Sequence, residues 1–294
     1  MTRTGLEAEA LIRASGAAQQ ELPAPALYVV ATPIGNAADI TLRALWVLSK
    51  VDVIAAEDTR TTGALLRRYD IGTPLLAVHE HNESAAAERI VGRLREGHRV
   101  ALVTDAGTPA ISDPGARLVR AVLAAGLRVV PVPGASSLTA AASAAGLRGD
   151  LLTFVGFAPS GSRQRAGLLR ELAARGEAFA LFEAPHRVAA TAGELAAALD
   201  PPRRVVVARE LTKKFETLQA CRAAELPAAI GAEPRGEYVL LIDAADAGPL
   251  DVDAVTRRWL AALAEVLPAS RAAALAAKVS GAPREQLYAL LARQ

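Results

Sequence analysis

The sequence predicts two α/β domains followed by a small helical extension, and three observations carry that prediction. Apolar strand-like stretches run straight into Gly/Pro loops at LYVVATPIGNAADIT from Leu27, RVALVTDAGTPAISDPG from Arg99 and LRVVPVPGASS from Leu127. Around them strand and helix patterns alternate, which implies a mostly parallel sheet covered by helices on both faces. From Val252 onward only the helical period remains.

Residues 1–26 are rich in Ala, Glu and Gln and end in ELPAPA, so a flexible tail is expected there. The first domain, residues 27–147, takes strands at 27–32, 52–56, 74–78, 99–104 and 127–132. Helices are expected between and after them, at about 39–49, 60–69, 83–96, 114–125 and 136–145. LRGD reads as a linker into a second domain, residues 148–245, with strand candidates LLTFVGF, AFALFE, RRVVVARE and EYVLLID. The helices between those strands are shorter, which predicts a mixed sheet. In residues 251–294, Ser270 is the expected N-cap of one helix, and Ser280, Gly281 and Pro283 stop it and start the next. Such a helix, turn and helix either packs and dimerises or contacts nucleic acid.

Composition narrows the class. With 294 residues, 52% of them hydrophobic, the chain can bury a substantial core. No apolar run reaches the ~18–20 residues of a membrane span, and the N-terminus lacks the order of a secretory signal, so a cytoplasmic protein is expected. The lone Cys221 excludes an internal disulfide framework and a cysteine-rich zinc site. Net charge is only +2, but basic residues cluster. Arg163, Arg165, Arg170 and Arg175 face only Glu171, and Arg203, Arg204, Arg209, Lys213 and Lys214 face only Glu210. Clusters of this kind track a phosphate backbone or solvate a helix face.

Tests for phosphate-binding fingerprints fail. Gly231 and Gly236 have P-loop spacing, but Glu237 stands where the lysine belongs, and no G-x-G-x-x-G follows the first strand. ATP, GTP and NAD are disfavoured. The loops offer backbone and short polar groups instead: Pro33, Gly35, Asp105, Ala106, Gly107, Thr108, Ile111, Ser136 and Ser137. Asp105 suits a ribose hydroxyl or an amine, and amides near Ser136 at a helix start suit a carboxylate. That inventory fits a zwitterionic, adenosine-bearing ligand.

Candidate catalytic groups follow strand ends. Glu57, Asp58 and Arg60 place two carboxylates and a guanidinium after the second strand; the alternative is a helix start capped by Asp58. His79, Glu80, His81 and Asn82 follow the third strand, with too few ligands for a zinc site, so no metal is expected. FEAPHR adds Glu183, His186 and Arg187, and ARELTKKFET adds Arg209, Glu210, Lys213 and Lys214.

Read in order, TPIGNAADIT, AAEDTR, the His79–Asn82 turn, DAGTPAISDPG, PVPGASS, FEAPHR, ARELTKKFET and GEYVLLI closely resemble the ribosomal small-subunit methyltransferase I family of the tetrapyrrole methylase superfamily. The resemblance covers Leu27 to about Asp243, with a further match in SRAAALAAKVSG. It departs from the family pattern at Ala184 and Pro185 and at Ala135 and Ser136. It implies S-adenosylmethionine bound in a cleft between two α/β domains, a homodimer, and 2′-O-methylation of a decoding-centre cytidine in 16S ribosomal RNA within the small ribosomal subunit. It maps the cofactor loops onto Thr32–Gly35, Asp105–Ile111 and Gly134–Ser137, with Ala184, Glu237 and Tyr238 completing the site. Glu57, Asp58, His79 and Glu183 are then the candidates for proton acceptance and Arg60 for orienting phosphate or ribose. Arg163, Arg165, Arg187, Arg209, Lys213 and Lys214 are candidates for RNA contact. Alternative readings are a corrin-precursor C-methyltransferase of the same superfamily and a non-catalytic S-adenosylmethionine sensor that binds nucleic acid.

Overall fold

The computed structural model describes residues 4–79, 82–246 and 254–292, and the chain divides into two compact units, Met1–Ala244 and Ala245–Gln294. The first unit contains two five-stranded sheets.

The first sheet holds β1 (Ala26–Val30), β2 (Val53–Ala56), β3 (Leu75–Ala77), β4 (Arg99–Val103) and β5 (Arg128–Val132) in the order β3-β2-β4-β1-β5, every pairing parallel. Its loops therefore emerge at one edge, where strand C-termini meet ligands in open α/β sheets. Alternation along β1 sends Ala26, Tyr28 and Val30 to one face and Leu27 and Val29 to the other. The first face is covered by α2 (Leu42–Lys50) and α3 (Thr59–Arg68) through Trp46, Val47 and Leu66. The second is covered by α4 (Glu83–Arg95) and α5 (Ala116–Ala124) through Ile90, Leu94, Leu118 and Val122.

The second sheet holds β6 (Leu152–Phe157), β7 (Ala178–Glu183), β8 (Arg204–Arg209), β9 (Thr217–Arg222) and β10 (Tyr238–Ile242) in the order β6-β7-β10-β8-β9. Only β6 and β7 run parallel and the other pairings are antiparallel, so the sheet is mixed as expected, although the helices Ser162–Arg175 and Pro185–Ala198 between its strands are 14 residues each and not short. Sequence patterning did not reveal β9. TLQACR lies at the sheet edge with five of its six residues exposed, so it lacks an apolar alternation to read. One face of this sheet packs on α7 (Ser162–Arg175), α8 (Pro185–Ala198) and the short α9 (Leu226–Ile230) through Leu169, Leu195 and Leu226.

The other face is covered by α6 (Ser137–Ala145), which follows the last strand of the first sheet. Ala141 and Ala145 pack on Ala180, Val206, Ala208 and Leu241 of the second sheet. Alanines on both sides let helix and sheet approach closely. This helix, expected with the first domain, thus carries the PGASS loop to the second sheet.

The N-terminal segment differs from the expected flexible tail. It forms α1 (Thr4–Ala14) and a 3-10 turn at Ala17–Gln19, and Ile12, Ala17 and Leu22 pack against the core beside Trp46. The Ala and Glu content that reads as a tail is equally a helix-former's composition.

The second unit comprises α10 (Ala254–Val266), α11 (Ala269–Ser280) and α12 (Arg284–Ala292) around Leu260, Ala273, Ala276 and Leu287. Pro268, not Ser270, occupies the N-cap of α11, and Gly281 ends that helix at a left-handed φ of 73°. Among the described residues no helix is long and apolar enough to cross a membrane.

Candidate active site

Two loops carrying positive-φ non-glycine residues meet at the strand ends. In residues 105–115, after β4, Ala110 and Ser112 have φ of 65° and 67°; in residues 210–216, after β8, Glu210 and Thr212 have φ of 51° and 66°. Such conformations cost of order 1 kcal/mol each and persist only where the surroundings hold them. The first loop is held at both ends. Thr32 and Gly107 exchange backbone hydrogen bonds of 2.9 and 3.1 Å, and the Thr108 hydroxyl donates to the Ala135 carbonyl at 3.1 Å. At the far end, the buried Glu83 Oε1 accepts from the amides of Gly115, Arg117 and Leu118 at 3.0, 2.9 and 3.2 Å, fastening the start of α5. Ser112 rests on the irregular part of β6, where any Cβ at Gly156 would lie 2.7 Å from its hydroxyl.

Between this loop, the start of α6 and the edge of the second sheet lies a cavity of about 280 Å³. The expected cofactor residues Ala106, Gly107, Thr108, Ile111, Ser136, Ser137, Ala184, Glu237 and Tyr238 line it. Ile34, from the expected Thr32–Gly35 loop, also lines it, and so do Asp113, Phe157, Phe182 and Leu211, which were not anticipated. Phe157 and Phe182 form an edge-on aromatic wall, ring centroids 5.6 Å apart. The sequence signal for Asp113 was its place in ISDPG, but there it reads as an ordinary turn residue. Pro33, Gly35 and Asp105 line an adjoining cavity that shares Ile34, Ala106 and Glu237 with the first.

Carboxylates gather at this edge. Glu57 Oε2 accepts from the Asp105 amide at 3.3 Å, and Asp105 Oδ1 accepts from the Asp58 amide at 3.2 Å. Burial raises the pKa values of Glu57 and Asp105, and nearby like charge adds to both shifts. Asp113 is pushed up to about 6, by burial first and then by Glu57, Asp105 and Glu237. Asp58 goes the opposite way. Its carboxylate accepts from the Arg60 amide at 2.7 Å as the N-cap of α3 and pairs with the Arg60 guanidinium at 2.6 Å, which holds its pKa down at about 2.

The remaining catalytic candidates lie apart from the cavity's reactive edge or are fully engaged. His79 is exposed, its amide donates to Asn82 Oδ1 at 2.9 Å, and it lines neither cavity; Glu80 and His81 lie outside the described residues. Glu183 lines the cavity but is 1% exposed. It accepts from Thr191 Oγ1 at 2.6 Å and its own neighbour's amide at 2.9 Å, and pairs with Arg187 at 3.0 Å. These contacts occupy both oxygens and give it a structural position.

Of the candidate RNA contacts, two are engaged by partners within the fold. Arg165 is 5% exposed and held by Glu194 at 2.7 and 2.8 Å, and Arg187 is tied to Glu183 and to the carbonyls of Ala158 and Pro159. Both spend their donors inside the fold. Arg163 and Lys214 are exposed; Arg209 donates to the Arg235 carbonyl at 2.6 Å, and Lys213 bridges Glu210 and Glu237 at 3.0 and 2.8 Å. Among the described residues no cluster of His, Cys, Asp and Glu is arranged to hold a metal ion.

Comparison with known proteins places these features in context. Residues 26–227 match the model of the Tetrapyrrole (Corrin/Porphyrin) Methylases, and residues 250–294 match the RsmI C-terminal HTH domain. The chain is 45% identical over 265 residues to the ribosomal RNA small subunit methyltransferase I of Escherichia coli O157:H7, covering 89% of this chain and 93% of that one. Its counterpart in Neisseria meningitidis serogroup B is 47% identical, covering 90% and 92%. Among solved structures, the methyltransferase CobJ superposes with a TM-score of 0.58 at 21% identity, covering 74% of this chain and 94% of that one. The uroporphyrin-III C-methyltransferase of Thermus thermophilus complexed with S-adenosyl homocysteine gives 0.54 at 20% identity, covering 74% and 96%. These last two similarities establish the shared fold.

Proposed function

We propose, from the premise that this chain belongs to the tetrapyrrole (corrin/porphyrin) methylase family, that the acceptor of its methyl transfer is the ribose 2′-hydroxyl of a decoding-centre cytidine in 16S ribosomal RNA. The enzyme is an S-adenosylmethionine-dependent rRNA methyltransferase. The observation carrying this reading is the near-half identity to small subunit methyltransferase I over nine-tenths of the chain. The same reading has it act in the cytoplasm, as a homodimer, on the small ribosomal subunit.

The first cavity fits the cofactor by its chemistry. Apolar walls at Ile34, Phe157, Phe182 and Val239 suit an adenine, the free amides at the start of α6 by Ser136 and Ser137 suit a carboxylate, and Asp113 and Glu237 suit a ribose or an ammonium. When bound, the cofactor supplies a sulfonium methyl: the new O–CH₃ bond forms as the S–CH₃ bond breaks, and the hydroxyl gives up its proton. The protein's part is alignment, exclusion of water and a place for that proton.

The proton acceptor belongs to the cluster Glu57, Asp105 and Asp113, whose raised pKa values make them stronger bases than an ordinary carboxylate. Asp58, ionised and engaged with Arg60, holds the start of α3. A tetrapyrrole polycarboxylate is the poorer substrate reading, because it would meet this acidic edge with like charge.

The test is transfer of labelled methyl to small subunits from a strain lacking this gene, followed by nuclease mapping and alkaline hydrolysis. Label on an alkali-resistant dinucleotide containing a decoding-centre cytidine supports the reading. Label on a base, on a different nucleotide, or on a tetrapyrrole precursor alone overturns it.

A further inference from the structure

The adjoining cavity, of about 370 Å³, runs along one face of α3. Thr61, Ala64, Leu65 and Arg68 line it, and the spacing 61, 64, 65, 68 places them on a single helical stripe. Small and apolar side chains make the floor, with a cation in the last turn of the helix. The N-terminal end of α3 lies by the carboxylates, since Asp58 at its N-cap donates its amide to Asp105. From Thr61 to Arg68 the helix rises about 10 Å, and long helical side chains lean back toward the N-terminus. The cavity is thus polarised, with carboxylate at one end and guanidinium at the other.

The cations around it differ in how they are neutralised. Lys213 on the facing loop is bound by Glu210 and Glu237, and Arg60 is bound by Asp58. Arg68 is exposed and has no ion-pair or hydrogen-bond partner among the described residues. The loop that contributes Lys213 also presents Phe215, 65% exposed, with the Lys214 ammonium 5.5 Å from its ring centre. Exposed aromatic rings beside lysines are platforms for nucleobases.

We infer that this α3 cavity is the seat of the target nucleotide, Arg68 binding an RNA phosphate and Asp105 facing the ribose hydroxyls, with Phe215, on the loop that supplies Lys213, stacking on a flanking base. The inference rests on the rRNA reading above and adds the substrate's place to it. A nucleotide matches the polarity of the cavity: its phosphate is anionic, while its sugar hydroxyls donate hydrogen bonds to carboxylates. Because the two cavities share Ile34, Ala106 and Glu237, a ribose seated here would adjoin the cofactor cavity.

The test compares the full-length wild type with Arg68→Gln, Arg68→Lys and Phe215→Ala. Three quantities are measured: KM and kcat for small ribosomal subunits across a salt series, S-adenosylmethionine affinity by calorimetry, and the melting temperature. Arg68→Gln is expected to raise KM for subunits by about tenfold, more than it changes kcat, and to lower the salt slope of binding by about one. Arg68→Lys should restore part of both effects, Phe215→Ala should raise KM, and cofactor affinity and melting should match the wild type. An Arg68→Gln enzyme with wild-type KM and salt slope overturns the assignment. So does a loss of cofactor affinity, which would give this cavity to the cofactor. A wild type that methylates no rRNA overturns the functional reading and this inference with it, a failure told apart because it needs no variant.

Discussion

The backbone N–H of Asn36 donates to the Thr212 hydroxyl at 3.1 Å, joining two loops 176 residues apart in the chain. That bond ties the loop after β1 to the positive-φ loop after β8. The approach is tight because Gly35 has no side chain. A Cβ there would lie 2.5 Å from Lys213 Cγ, 2.9 Å from Thr212 Oγ1 and 3.2 Å from the Leu211 carbonyl. Replacing Gly35 with Ala forces the 210–216 loop outward. Turnover is expected to fall at least tenfold, the order of loss that small misplacements of reacting groups produce. Steady-state kinetics on small subunits read this directly.

The ionisation of Asp113 sets a pH dependence. Its pKa of about 6 means that the carboxylate is protonated below that value and able to accept a proton above it. Methyl transfer should rise through pH 6, and Asp113→Asn should remove that inflection. Stability moves oppositely: a carboxyl whose folded pKa is raised favours the folded state below the unfolded value of 3.8, and that contribution is lost as pH rises through about 6. Asp113→Asn is therefore expected to stabilise the protein at pH 8 by about 1 kcal/mol after allowance for partial exposure, and not at pH 3.5. Denaturant melts at the two pH values check it.

Glu183 is expected to act through stability. Glu183→Gln leaves the Arg187 guanidinium without its buried counter-charge, a loss of about 3–5 kcal/mol. Denaturant midpoints should shift accordingly. A variant with wild-type stability and collapsed kcat would instead give Glu183 the proton-accepting role.

The Glu83 latch is testable in the same way. Glu83→Ala removes the acceptor of the Gly115, Arg117 and Leu118 amides and should cost about 2–3 kcal/mol, because charge-assisted bonds to buried amides are lost together. Loosening of residues 105–115 should also weaken S-adenosylmethionine binding, measured by calorimetry.

Asp58 and Glu57, adjacent in sequence, should separate in a paired experiment. Asp58→Asn keeps an N-cap side chain and is expected to retain most of kcat, whereas Glu57→Gln, which alters the cluster around Asp105, should lower it about tenfold or more. Single-turnover methyl transfer separates the two. Equal losses in both would return Asp58 to the catalytic group.

Much of the architecture was legible because burial writes itself into local pattern. The stretches beginning at Leu27, Arg99 and Leu127 carried an apolar run and a Gly/Pro stop, and all became strands of one parallel sheet. The loop residues Gly107, Thr108, Ser136 and Ser137 were expected together, and they line one cavity because small residues at several strand ends converge by topology. Exposed elements were not legible in this way. The edge strand β9 has no buried alternation, and α1 shows the same Ala and Glu content as a tail.

By itself the sequence determined the buried strands and their covering helices, the helical extension and the set of loops from which the site is made, since these depend on patterns within a few residues, whereas α1 and the edge strand β9 did not show in it. Tertiary structure alone decided which groups meet. It laid α6 across the second sheet, so that Ser136 and Ser137 share a cavity with Tyr238. It turned Arg165 and Arg187 inward, where the carboxylates of Glu194 and Glu183 hold them. It also raised Asp113 through burial and the carboxylates of Glu57, Asp105 and Glu237, whereas Asp58 is lowered by Arg60, its neighbour in sequence. The reason is physical: a side chain's charge and reach are set by what lies within a few ångströms in space, and for this site some of those neighbours come from segments more than a hundred residues apart.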